Sequence, residues 1–148
     1  MRKLFSAALL FTVVLSCQMA ASAQDEHDHG HRQAHQFGTG VDFSNLEDGW
    51  AVLENVTSGI RNAVSLDNMA ALHDLSTELH NVADRFGKLS RDVPQANQLR
   101  FTSSVNQLRT LSDRLHVAHD NEDAQAARQM VLQLDGVVQL LMVSAEAN

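Results

Sequence analysis

The side chains in this chain best suited to chemistry are imidazoles, and they fall into two groups. The first lies in Asp25–His35, which reads Asp-Glu-His-Asp-His-Gly-His-Arg-Gln-Ala-His, so that His27, His29, His31 and His35 are interleaved with acidic residues. Neutral imidazole is a borderline ligand for Zn, Cu, Ni and Co, and short His-rich tracts bind such ions. The spacing His27-x-His29-x-His31 lets an extended chain offer several rings to one ion. Without a scaffold to fix the rings, capture is expected to be loose and poorly selective. The plainer alternative is a solvated polar linker that happens to contain histidine.

The second group, His73, His116 and His119, lies inside amphipathic stretches, and only a fold can bring its members together. The elements that would do so can be read in order. Met1–Ala23 has the form of a secretory signal peptide. Arg2 and Lys3 form the basic start, Leu4–Leu15 is an apolar run too short to span a membrane, and Ala21-Ser22-Ala23 suits cleavage before Gln24. A lipoprotein signal is the other reading: Val14-Leu15-Ser16-Cys17 would place a lipid anchor on Cys17. Both readings predict export, to the periplasm or beyond the cell. Cleavage before Gln24 would put His27 fourth from the new terminus. A terminal square-planar Cu(II) or Ni(II) site would need it third, so that site is not expected.

Residues 24–43 read as a flexible arm, of which Gln24–Gly40 has little apolar content and ends in Phe37-Gly38-Thr39-Gly40. Residues 44–145 read as four helices. Ser44-Asn45-Leu46-Glu47 fits a capping box, and Leu46, Trp50, Leu53, Thr57, Ile60 and Val64 then recur on one face. Leu66-Asp67-Asn68 makes a turn. The second helix runs from about Met69 to Leu89, with Leu72, Leu75, Leu79, Val82, Phe86 and Leu89 on one face. Pro94 suits the first turn of a third helix, which extends to His119 through Phe101, Val105, Leu108, Leu111 or Ser112, and Leu115. After Asp120–Asp123, a fourth helix carries Ala127, Met130, Leu134, Val137 and Leu141. Four such helices joined by short turns predict an all-α, up-down-up-down four-helix bundle. Val64-x-x-Asp67-Asn68 is echoed by Val117-x-x-Asp120-Asn121, which suggests two related helical hairpins.

In that topology the first and third turns share one end. His73, His116 and His119 would lie there together, beside Asp67, Asp120, Glu122 and Asp123. Two or three imidazoles and a carboxylate would satisfy zinc or an octahedral divalent ion. Orientation weighs against it: His73 follows core-facing Leu72, and His116 follows core-facing Leu115, which sets both at the stripe margin, where side chains point to solvent. His80 and Asp84, four apart, form a weaker pair. Met69, Met130 and Met142 read as core filler.

Other chemistries lack their residues. The single cysteine allows no intrachain disulfide, cysteine zinc site, iron–sulfur cluster or c-type haem attachment. The net charge of −7 argues against nucleic acid as a partner. No phosphate loop, Ser-x-x-Lys or His-Glu-x-x-His motif is present. The architecture is similar to that of cytochrome b562. That family holds haem with a Met early in the first helix and a His late in the fourth, where this chain has Trp50 and Gln139-Leu140, so no haem is expected.

Trp50, Leu72-His73, and the run Leu115-His116-Val117-Ala118-x-Asp120 through Asp123-Ala124-x-Ala126-x-Arg128 to Leu134-Asp135-Gly136 and Leu140 resemble a poorly characterised group of exported helical proteins. These are found beside bacterial heavy-metal efflux systems. The resemblance implies a non-enzymatic periplasmic role in binding or buffering divalent transition metals, in support of efflux or resistance, with an envelope efflux component as partner. The alternative is a structural module that binds an envelope protein without metal. No membrane span is expected after signal removal.

Overall fold

The structure, a computed structural model, describes residues 41–146. The leader, Cys17 and the His27, His29, His31 and His35 tract lie outside the described residues. The described chain is an all-α four-helix bundle: α1 Leu46–Ser65, α2 Met69–Lys88, α3 Gln98–Asp120 and α4 Ala124–Ala145, with a short 3₁₀ turn at Leu89–Asp92. No helix among the described residues is long and apolar enough to cross a membrane.

Each helix runs antiparallel to the next, as the paired contacts show. Trp50 at the start of α1 stacks on Phe86 at the end of α2, and Phe86 in turn meets Phe101 at the start of α3. Arg114 of α3 donates to Gln133 of α4, and Asn97 reaches Glu146 past the end of α4. Helix α4 returns to α1 through the Arg61–Asp135 ion pair at 2.7 Å. The apolar stripes expected from sequence line the core. Leu53, Ile60, Leu72, Leu79, Phe86, Phe101, Leu108, Leu115, Leu134 and Leu141 are each no more than 1% exposed. Met142 is not core filler; it is 45% exposed, beside Trp50 on the α1–α4 groove.

Three local expectations shift. The α1 cap is Asn45 rather than Ser44: its side chain accepts from Asp48 N at 2.9 Å. Asparagine caps as well as serine, and this register lets the Phe43 ring lie over Gly49, where a Cβ would stand 2.7 Å from it. Residues 41–43, grouped by sequence with the arm, are tied to the bundle. Phe43 is buried, its carbonyl accepts from Arg85, and Asp42 pairs with the same guanidinium. Helix α3 begins at Gln98 rather than at Pro94. Pro94–Asn97 form a single turn (Asn97 N to Pro94 O, 2.8 Å), because Asn97 is drawn in to bond the end of α4.

The repeated turn is real but two residues out of the predicted register. Asp67 and Glu122 both take left-handed backbone, with φ of 51° and 52°. In each turn the following amide reaches back five residues: Asn68 N to Ala63 O and Asp123 N to Ala118 O, both 2.8 Å. This is a Schellman closure with a non-glycine residue at its left-handed position. Asp67 therefore matches Glu122, not Asp120, and the caps of α2 and α4 are Asn68 and Asp123.

Candidate metal centre

The antiparallel packing of α2 and α3 brings the first turns of one against the last turns of the other. His73 lies in α2, and His116 and His119 lie one turn apart on α3, so they share a side. Ring centroids are 4.5 Å apart for His73 and His116, 4.9 Å for His73 and His119, and 6.2 Å for His116 and His119. Ligand atoms of His73, His116 and Asp120 all lie within 4.8 Å of one another. The two rings nevertheless turn toward each other: His116 is half-buried on the flank that α2 and α3 share, and His73 lies at the exposed edge of that flank.

Hydrogen bonding assigns the tautomers of two rings. His119 Nδ1 lies 2.9 Å from the Met69 carbonyl, which can only accept, so Nδ1 carries the proton and Nε2 the lone pair. Ser76 donates its hydroxyl to the His73 carbonyl at 2.7 Å. Its oxygen is then the acceptor for His116 Nδ1 at 3.3 Å, and His116 also keeps its lone pair on Nε2. These two Nε2 atoms face the same carboxylate: His116 is 3.9 Å from Asp120 Oδ2, and His119 is 3.8 Å from Asp120 Oδ1. A neutral imidazole lone pair opposite a carboxylate at that range makes no hydrogen bond; a proton on Nε2 or a cation between the two groups would satisfy both. Metal-bound histidines hold their other nitrogen in the way Ser76 and Met69 provide. Tetrahedral zinc, with bonds of about 2.0–2.1 Å, separates its ligands by about 3.3 Å. The ligand atoms of His73, His116 and Asp120, within 4.8 Å of one another, would have to draw in by up to about 1.5 Å to meet that spacing.

The other carboxylates predicted for this end are engaged elsewhere. Asp123 caps α4 by accepting from Ala126 N, and Asp67 pairs with Arg128. Glu122 is exposed in its turn and is not in the cluster.

The sequence reading missed a repeat that organises the site. Leu-Ser-x-x-Leu-His occurs as Leu75–His80 on α2 and as Leu111–His116 on α3. Antiparallel packing sets each serine against the other copy's histidine: Ser76 with His116, and Ser112 with His80 at 3.2 Å. Both serines are at most 2% exposed, and both donate to the carbonyl three residues back. Their hydroxyl protons are thus committed, and neither serine is set up as a nucleophile. The visible sign was a serine at core register between leucines on both helices.

The two halves of the repeat differ at the outer nitrogen. His116 Nε2 opens toward His73 and Asp120. His80 Nε2 lies 4.0 Å from Asp84, whose carboxylate is already held by Arg109 at 2.7 Å. The Arg109 hydrogen bond and charge hold the Asp84 carboxyl below its ordinary pKa, and a guanidinium there repels a second cation. The structure thus assembles His73, His116, His119 and Asp120, and leaves the His80–Asp84 pair closed. No family model, curated protein or solved structure matches the chain.

Proposed function

We propose that the protein binds a divalent transition-metal ion (Zn, Cu, Ni or Co) at His73, His116, His119 and Asp120, as a non-enzymatic carrier or buffer. On this reading the exported chain is an up-down-up-down bundle in the periplasm, held there free or through a lipid on Cys17. The arm histidines His27, His29, His31 and His35 gather ions loosely, and the bundle site holds them in support of metal efflux by an envelope component. The observation that supports it is the pair of Nε2 lone pairs, on rings oriented by Ser76 and the Met69 carbonyl, aimed at one carboxylate.

Calorimetric titration with Zn(II), Cu(II) and Ni(II) tests this on the full protein, on a deletion of residues 24–40 and on a His73/His116/His119→Ala triple variant. The deletion is expected to lose weak, multiple binding and to retain one tighter event; the triple variant is expected to do the reverse. Loss of all binding on arm deletion alone would rule out the bundle site. Binding no stronger than that of an unstructured histidine peptide would end the metal reading.

A further inference from the structure

The outer face of α4 carries an apolar stripe with no partner among the described residues. Leu132, Leu140 and Val143 are 75%, 57% and 65% exposed, and with Gly136 they follow one another at four, four and three residues, along one side of the helix. Gly136 stands at its centre. Of the described helical glycines, Gly49, Gly59 and Gly87 each abut another side chain: a Cβ would come within 2.9 Å of Phe43, Leu75 or Arg109. Gly136 meets nothing within 4 Å. Glycine is the poorest helix former after proline, and no contact among the described residues accounts for it here.

Charge names the occupant. The chain carries −7, so two copies repel wherever acidic surfaces meet. Helix α4 holds only two charged residues, Arg128 and Asp135. Both are neutralised against the rest of the bundle, by Asp67 and Arg61. What it presents outward beside the stripe is uncharged: Gln125, Gln129, Gln133 and Gln139. The stripe is also complementary to itself. With two α4 helices crossing antiparallel at Gly136, Leu132 of one copy meets Leu140 of the second, and Leu140 meets Leu132. That satisfies the requirement of a two-fold interface that one patch serve both sides. The absent Cβ at Gly136 allows the backbones to approach closely there. We infer that the protein forms a two-fold homodimer through the outer face of α4, centred on Gly136. This does not depend on metal, because the histidine cluster lies between α2 and α3.

Sedimentation analysis of the full chain in the presence of a chelator tests it, from micromolar to near-millimolar concentration. A patch of this size predicts a reversible, concentration-dependent dimer. The Leu132→Gln/Leu140→Gln variant and the Gly136→Gln variant should each weaken dimerisation by roughly tenfold or more. Helical content by circular dichroism should be unchanged, since all three side-chain positions are exposed. A wild-type protein that stays monomeric throughout overturns the inference, as does a dimer that both variants leave intact.

Discussion

Ser76 and Ser112 are near-equivalent in the fold and unequally placed toward the proposed metal site, and that makes a controlled test of it. Each is buried, donates to a carbonyl three residues back, and accepts from a histidine on the facing helix. Ser76→Ala and Ser112→Ala therefore remove like interactions, although His80 Nδ1 keeps a second neighbour in Asp113 Oδ1 at 3.3 Å. Each should cost the apo protein about 1 kcal/mol, the net worth of a typical hydrogen bond. In a domain of this size that lowers Tm by roughly 4–8 °C. Their effects on metal should diverge. Ser76→Ala frees His116 Nδ1, so the ring is no longer held with its lone pair on Nε2, toward Asp120. Loss of an outer-shell partner costs roughly 10–100-fold in affinity, or about 1.4–2.8 kcal/mol. Ser112→Ala frees only His80, which Arg109 keeps apart from any cation. Competition titration of Zn(II) measures the affinities, and the visible bands of bound Co(II) report coordination geometry. Equal losses in the two variants would refute the assignment of His116 as a ligand oriented by Ser76. So would an unchanged affinity in Ser76→Ala.

Further outcomes follow from individual contacts. Gly49→Ala drives a methyl group to 2.7 Å from the Phe43 ring and 3.0 Å from Phe86, and it should destabilise by about 1–3 kcal/mol in thermal unfolding. An unchanged Tm would mean that Phe43 is not seated there in solution. Glu122→Gly relieves a left-handed residue in the α3–α4 turn, worth about 1 kcal/mol, and should raise Tm without touching the cluster. The Asp84 carboxyl has a folded pKa below its unfolded value of about 3.9. Its stabilising contribution is therefore present above that pH and lost as pH falls through the folded value. Chemical denaturation of Asp84→Asn should show a deficit at neutral pH that shrinks on the acid side of about pH 4 and fades with added salt, since the pair is about half exposed. Metal affinity should fall with acidification, because protons compete for the same Nε2 lone pairs. A pH-independent affinity would argue against imidazole ligation.

The bundle was legible because burial imposes a period. The stripes read from sequence lie in the core from Leu53 through Leu141, with Leu46, Trp50 and Leu89 only partly buried against it. The boundaries moved where side chains do work that a pattern does not carry. Asn45 took the α1 cap because Phe43 had to reach Gly49, and Asn97 left α3 to bond Glu146. The histidine cluster was legible as proximity, because short turns dictate which helix ends meet. Its orientation was not. A residue next to a core leucine points outward on an isolated helix, yet on a packed pair one such flank is the shared seam. The outer shell was harder still to foresee. Ser76 looks like a weak core position until the facing helix supplies His116, and the Met69 carbonyl carries no mark in its side chain.

The seam also shows how a site at one end of the bundle depends on structure at the other. Contacts along α2 and α3 keep one register: Ser76 with His116, His80 with Ser112, and Asp84 with Arg109. The connection that sets this register lies at the opposite end, in residues 89–97. Buried Val93 holds the extended backbone expected before Pro94, and Asn97 anchors the start of α3 to the end of α4. A helix that slips by one residue turns its side chains by about 100°, which would take His116 off the seam and much of the apolar stripe out of the core. The reciprocal Ser–His contacts resist that slip, since each buried hydroxyl would then face apolar side chains without its partner. The repeat thus has two outcomes from one geometry. At His80 it fixes register, closed by Arg109. At His116 it fixes register and leaves a lone pair facing Asp120.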